Sequence, residues 1–225
     1  MKKFKSKGWD ELFVHEVNRW KKPNKYTNIL TKELKRNFRN NIRVLDIGYG
    51  AGRHINFLIK NGFDTYGFDI AKNAEKYTNV KSTKLTTFDM NKFPWSYKDN
   101  FLNGALAINV IHHTNYTKFK KIIKEISRIL VPNGLFLATI VSKENHKFGK
   151  GKKLDNNSYI TDEGAEKGIP HCFLDERDIK NIFNKKFKIL KLKIISGEIP
   201  KQDIKFRKKG ALDHWLIFAQ KKSSY

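Results

Sequence analysis

"VLDIGYGAGRH", Val44–His54, is the stretch on which the reading of the fold turns. An apolar run reaches Asp46 and is followed by glycines at 48, 50 and 52, so a strand is expected to leave a sheet and turn tightly beneath a ligand. A dinucleotide site asks for G-x-G-x-x-G, with the pyrophosphate on the helix N-terminus. The third position of that pattern is Arg53 here, and the actual spacing is G-x-G-x-G, so backbone can approach a ligand while the pyrophosphate pattern stays incomplete. An acid just ahead of the turn favours a cationic group over a phosphate.

Outward from this turn the chain alternates. "TYGFDI" (65–70), "TKLTTFDM" (83–90), "NGALAINVI" (103–111) and "GLFLATIVS" (134–142) read as strands. Before the last of them, "YTKFKKIIKEISRIL" repeats Phe119, Ile122, Ile123, Ile126 and Ile129 at helical spacing and is stopped by "VPNG". A helix at 175–184 and strands at 187–196 and 214–221 complete the order. The expected fold is α/β, a Rossmann-like seven-stranded, mostly parallel sheet with helices on both faces and an antiparallel last pair. Residues 1–41 are expected to form an N-terminal helical cap on a domain spanning 42–225, with Trp9, Phe13, Val17 and Trp20 on one helical face. Residues 143–173 show no strong period and read as a lid-like insertion. Asp46, Asp69, Asp89 and His113 all fall at or just past strand ends, around one mouth.

Composition narrows the classes. One cysteine, Cys172, excludes an internal disulfide, the charged N-terminal segment lacks the apolar core of a secretory signal, and no run approaches the roughly 18 apolar residues of a membrane span. A cytoplasmic protein without a membrane partner is expected. The formal net charge is +24, yet 38 of the 46 basic residues are lysine and they are scattered, which favours a solvated surface over arginine-led nucleic-acid readout. The first 43 residues carry a net +9, a face attractive to polyanions.

A nucleoside that carries a cation and no phosphate is S-adenosylmethionine, and the motifs resemble those of class I S-adenosylmethionine-dependent methyltransferases. "VLDIGYGAG", "YGFDI" and "FDM" are similar to the first three motifs of that family, and "ALAINVIHH" with "RILVPNG" to its fourth and fifth strands. "GIPHCFLDERDIKNIF" and "DHWLIFAQ" resemble the small-molecule branch that includes tellurite-resistance-type and ubiquinone-biosynthesis-type enzymes. The resemblance implies S-adenosylmethionine as cofactor, with S-adenosylhomocysteine as product. It assigns Asp46 and Gly48 to the methionine amino end, Gly50 and Gly52 to the turn, and Asp69 with Ile70 to the ribose. Asp89 and Met90 go to the adenine and Asn109 to the sulfonium side. Tyr49, Asn103 and Asn133 depart from the family pattern, and a bulky Tyr49 narrows the methionine pocket.

On the acceptor side, His113 and His171 are the candidate bases, since histidine titrates near neutral pH. Trp20, Tyr159 and Phe173 are candidate acceptor contacts, and Trp9 another. His112 reads as core, Cys172 as packing, and no residue is assigned to a metal. The loop reads "NVIH" and lacks the N/D-P-P-Y/F signature of base amino-methylating enzymes, the Pro-Cys nucleophile of cytosine-C5 enzymes and the acidic pair of protein-arginine enzymes. A small-molecule acceptor is the leading expectation. RNA or tRNA methylation and a non-catalytic S-adenosylmethionine-binding module stay open beside it.

Overall fold

The computed structural model describes residues 9–10, 22–78, 84–162, 166–196 and 213–223. Along β1 (Arg43–Ile47) side chains alternate between two apolar clusters, Val44 entering one and Leu45 and Ile47 the other, and all four residues from Val44 onward are buried. A strand buried on both faces belongs in the middle of a layered sheet. β1 lies there, parallel to β2 (Asp64–Asp69) on one side and to β4 (Leu102–Ile108) on the other. The seven-stranded order is β3 (Leu85–Thr87), β2, β1, β4, β5 (Leu130–Val141), β10 (Asp213–Lys221), β9 (Phe187–Ser196). The pairs from β3 to β5 are parallel, and β10 runs antiparallel to both β5 and β9. This is the sheet that the alternation of the sequence predicts.

Helices cover both faces. α1 (Thr27–Asn37) and α2 (Arg53–Lys60) bring Leu30, Leu34 and Leu58 onto Val44, Leu106, Leu135 and Leu216. α3 (Tyr116–Ile129) and α4 (Glu176–Phe183) bring Phe119, Ile122, Ile126, Ile179 and Phe183 onto Leu45, Phe136 and Ile217. Each such fully buried side chain contributes about 1.5–3 kcal/mol. Asn115 caps α3 by accepting from the Lys118 N–H at 2.9 Å, and α4 opens with a reciprocal capping box between Asp175 and Asp178. "VPNG" ends α3 as expected but already belongs to β5, with Asn133 at φ +63°.

The segment expected to lack structure of its own folds as a second sheet, β6 (Lys152–Asp155), β7 (Ser158–Ile160) and β8 (Pro170–Cys172), antiparallel throughout. Strands of three or four residues are too short for a period to show in sequence. The small sheet is fastened down. Cys172 N–H donates to the His112 carbonyl at 2.7 Å, Tyr116 N–H to Ser158 Oγ at 2.9 Å, and Asn157 Nδ2 to Asp178 Oδ2 at 2.7 Å. Trp9 and Asp10 are helical, and Trp9 packs on the cluster of Tyr49, Ile55 and Ala71. Phe13, Val17 and Trp20 lie outside the described residues. No helix among the described residues is long and apolar enough to cross a membrane.

Candidate active site

β1 to β4 point the same way, so their carboxyl ends open on one crevice. Ile47 pairs with Phe68 and Asp69 with Thr87, which sets the glycine turn, Asp69 and the Asp89 segment side by side. The turn itself excludes side chains. Gly48, Gly50 and Gly52 have φ of +67°, +53° and +75°, and a Cβ on Gly48 would come within 2.5 Å of Val110 Cγ1. Gly48 N–H donates to the Phe68 carbonyl at 2.8 Å, which stitches the turn to the end of β2.

Asp69 is held by backbone. Its Oδ2 accepts from Gly50 N–H at 2.9 Å and its Oδ1 from Ala71 N–H at 2.8 Å. Burial pushes this carboxyl up to about 6, with the neighbouring Asp46 adding to the rise and the N–H groups of Ala71, Gly50 and Ile70 opposing it. Each oxygen keeps a second lone pair for a hydroxyl donor. Asp46 differs: only 1% exposed, it has no hydrogen bond to either carboxylate oxygen among the described residues. His54 Nδ1 stands 3.6 Å from Asp46 Oδ2, while His54 Nε2 accepts from the Asn24 N–H at 3.2 Å. A buried carboxylate without donors is costly by several kcal/mol. The donor that satisfies it best is a cation such as the ammonium of a methionine moiety, so the residues fit the cofactor.

Asp89 Oδ1 accepts from the N–H of Asn91 at 2.9 Å, and Asn91 Oδ1 accepts from the Thr114 hydroxyl at 2.5 Å, linking the segment after β3 to the loop after β4. The Met90 carbonyl accepts from Trp95 Nε1 at 3.1 Å. Behind them Arg128 donates to the Trp95 and Tyr97 carbonyls, to Glu125 and to Asp99, which fixes the loop after β3 on α3. Asn109, with φ +59°, ends β4; its N–H donates to Thr139 Oγ1 at 2.8 Å and its Oδ1 accepts the Thr139 hydroxyl at 2.6 Å.

That turn delivers the histidines. His113 Nε2 lies 3.1 Å from the Asn109 carbonyl, which can only accept, so Nε2 carries the proton; Nδ1 is buried without a partner among the described residues. Burial pushes His113 down to about 3, with His171 pushing the same way and Glu166 opposing. His171 Nδ1 is 3.1 Å from the Ile169 carbonyl and Nε2 is 3.0 Å from Glu166 Oε2. Burial works against the Glu166 charge, but the hydrogen bond from His171 prevails and holds the carboxyl well below its usual range. Lys147 Nζ closes on the same Glu166 oxygen at 2.6 Å. The Trp9 ring meets His113 edge-on with centroids 4.8 Å apart.

The expected residues thus divide. Asp46, Gly48, Gly50, Gly52, Asp69, Ile70, Asp89, Met90 and Asn109 line up along the strand ends, and His113 and His171 meet with ring centroids 4.7 Å apart. Tyr159 and Phe173 join Phe148 in an aromatic cluster, Phe173 being buried and Tyr159 half-buried. Sequence reasoning missed Glu166, Lys147, Thr139 and the part of His112 in the histidine group. Thr139 had a readable signal, a lone hydroxyl in "LFLATIV". Glu166 had none, since it reaches His171 across a turn.

A family model described as a methyltransferase domain matches residues 19–187. The chain is 32% identical over 136 residues to an uncharacterised protein of Methanocaldococcus jannaschii, covering 60% of this chain and 52% of the relative. It is 29% identical over 102 residues to an Arabidopsis thaliana tRNA (carboxymethyluridine(34)-5-O)-methyltransferase, covering 45% and 24%. The chain therefore spans about half or less of the length of these curated relatives. Its fold is similar to that of the Burkholderia thailandensis 1,6-didemethyltoxoflavin-N1-methyltransferase, at TM-score 0.60 and 14% identity, over 97% of this chain and 89% of the other. With most of its length matched by the family model, the chain belongs to the methyltransferase domain family.

Proposed function

We propose that the chain methylates a compact small-molecule acceptor by in-line displacement, within the small-molecule branch that holds tellurite-resistance-type and ubiquinone-biosynthesis-type enzymes, and in the cytoplasm. One observation carries the reading: His113 and His171, 8% and 2% exposed, lie enclosed between Trp9 and the small sheet. Such a setting excludes water and suits an acceptor small enough to be surrounded. The toxoflavin-precursor enzyme of the same fold acts on a compact molecule of this kind.

S-adenosylmethionine supplies a methyl group on a sulfonium whose leaving group is a neutral thioether, so the chain's own task is alignment. Asp46 and the backbone at Gly48 take the methionine ammonium, while Gly50 and Gly52 let backbone come close. Asp69 and Ile70 take the ribose, Asp89 the adenine amino group, the Met90 backbone the ring edge, and Asn109 the sulfonium side. His113 offers its bare Nδ1 to the acceptor's proton, steadied by the Asn109 carbonyl behind it. An imidazole pushed down to about 3 is neutral at pH 7 and a weak base, fit to orient a hydroxyl or amine more than to strip it. His171 backs it, and Tyr159, Phe173 and Trp20 are the proposed acceptor contacts.

A second reading, methylation of tRNA, is favoured by the +24 charge and by the activity of the plant relative. Transfer of labelled methyl to a small-metabolite extract and to total tRNA, each at low and high salt, separates the two. Label in the metabolite fraction supports the first reading. Label in tRNA that falls steeply with salt replaces it with the second. Cofactor binding with no label in either leaves a non-catalytic module.

A further inference from the structure

We propose that His112, His113 and His171 form a binding site for a divalent transition metal of the zinc class, with Glu166 as its charge-compensating carboxylate. One ring nitrogen from each of the three histidines lies within 4.8 Å of the others, and all three residues are buried. Their rings form one packed group, with centroids 4.3 Å apart for His112 and His113, 4.7 Å for His113 and His171, and 5.8 Å for His112 and His171.

Hydrogen bonding sets the lone pairs. A metal-ligating histidine commonly donates its other ring N–H to a backbone carbonyl or carboxylate, which fixes the tautomer and the ring. His113 makes that bond from Nε2 to the Asn109 carbonyl and His171 from Nδ1 to the Ile169 carbonyl, at 3.1 Å each. The His113 Nδ1 left over is buried without a partner among the described residues, and so is the Nδ1 of His112. Two orphaned imidazole nitrogens in an apolar interior are costly unless something uses their lone pairs. A metal ion does.

Charge supports the same ligand. Glu166 stands 3.0 Å from His171 Nε2, so a metal taking that nitrogen would displace the proton the two share and keep the carboxylate beside the ion's charge. Lys147 now shares Glu166, and His214 lies 5.7 Å from His112, so both face the group as well. Imidazole with a carboxylate suits zinc, cobalt, nickel and copper over magnesium or calcium. Ligand atoms around zinc sit about 3.3 Å apart, so small side-chain rotations must draw the three nitrogens inward. The inference rests on these residues and competes with the acceptor reading above, since a metal on His113 Nδ1 takes the lone pair that reading gives to the acceptor's proton.

The test uses tag-free full-length protein stripped with a chelator and titrated with cobalt(II). The expected result is one equivalent bound with the intense visible bands of four-coordinate cobalt, displaced by zinc. Affinity should fall roughly tenfold or more in both His113→Ala and His171→Ala and hold in His146→Ala, whose side chain is exposed. Since the buried substitutions endanger folding, melting of the unaltered protein with zinc or magnesium gives a second readout. An upward shift with zinc alone is expected. Absence of both the bands and the shift, or binding lost equally in His146→Ala, overturns the site.

Discussion

The two sides of the crevice are built differently. On the proposed cofactor side, neighbouring parallel strands end in register and backbone N–H groups fix the polar side chains, as Gly50 and Ala71 fix Asp69. On the proposed acceptor side, residues far apart in sequence are drawn together by a small sheet bonded onto the loop after β4: His112 and His113, Lys147, Glu166 and His171. The first construction follows from the sheet and is common to the fold. The second follows from tertiary docking, and it is where one member of a fold comes to differ from another.

The two sides touch at Gly48, over which Val110 of the acceptor-side loop packs. Gly48→Ala combines a left-handed backbone with that clash and should cost about 3 kcal/mol, read as a lower melting temperature and roughly 100-fold weaker calorimetric binding of S-adenosylmethionine. Adding Val110→Ala should restore part of the loss. Strict additivity of the two changes would break the claim that the sides are coupled here. Asp69→Ala acts on the cofactor side alone. Removal of charge-assisted hydrogen bonds worth about 1.5–3 kcal/mol should weaken cofactor binding by about 10- to 150-fold, with Tyr159 and His171 signals in a fluorescence or NMR probe of the acceptor side unmoved.

The same division explains what could be read from the sequence. Asp46, Asp69 and Asp89 were legible because each closes an apolar run, and a strand's end is a local property of sequence. The helix over 116–129 was legible because Phe119, Ile122, Ile123, Ile126 and Ile129 all bury on one face. The small sheet was not, since β7 and β8 have three residues each and gain their stability from Cys172 and Ser158 bonding to the loop above α3. Glu166 was equally hidden: its value comes from standing beside His171 and Lys147, which no spacing rule connects. Tyr49, read as narrowing the methionine pocket, is 3% exposed and packs over Gly67, where a Cβ would lie 2.9 Å from its ring.

A pH titration sharpens the comparison further. Asp69 is raised to about 6 in the fold, so under the proposed assignment the ribose hydroxyls would meet a carboxylate above that value and compete with a proton below it. Cofactor affinity should be level above pH about 6 and fall by up to about tenfold per unit beneath it, measured by calorimetry across pH 5–8. For stability the sign is opposite to that of a salt-bridged acid. A raised folded value means that Asp69 favours the fold at low pH and opposes it as pH rises through about 6, so the cofactor-free protein loses this contribution on the way to neutrality.

The smallest expected effect tests the division most directly. In His113→Ala the imidazole and its bond to the Asn109 carbonyl are lost, but Asn109 keeps its own anchors, the N–H to Thr139 Oγ1 at 2.8 Å and the Oδ1 from the same hydroxyl at 2.6 Å. With those anchors in place S-adenosylmethionine affinity should stay within about twofold, below the roughly 0.5 kcal/mol expected of changes at independent sites. Methyl transfer to the acceptor found by labelling should drop at the same time by about tenfold or more, because the group facing the acceptor's proton is gone. A variant that loses cofactor affinity tenfold would show that the histidine group supports the strand ends, and the crevice would then have to be treated as one structure rather than two.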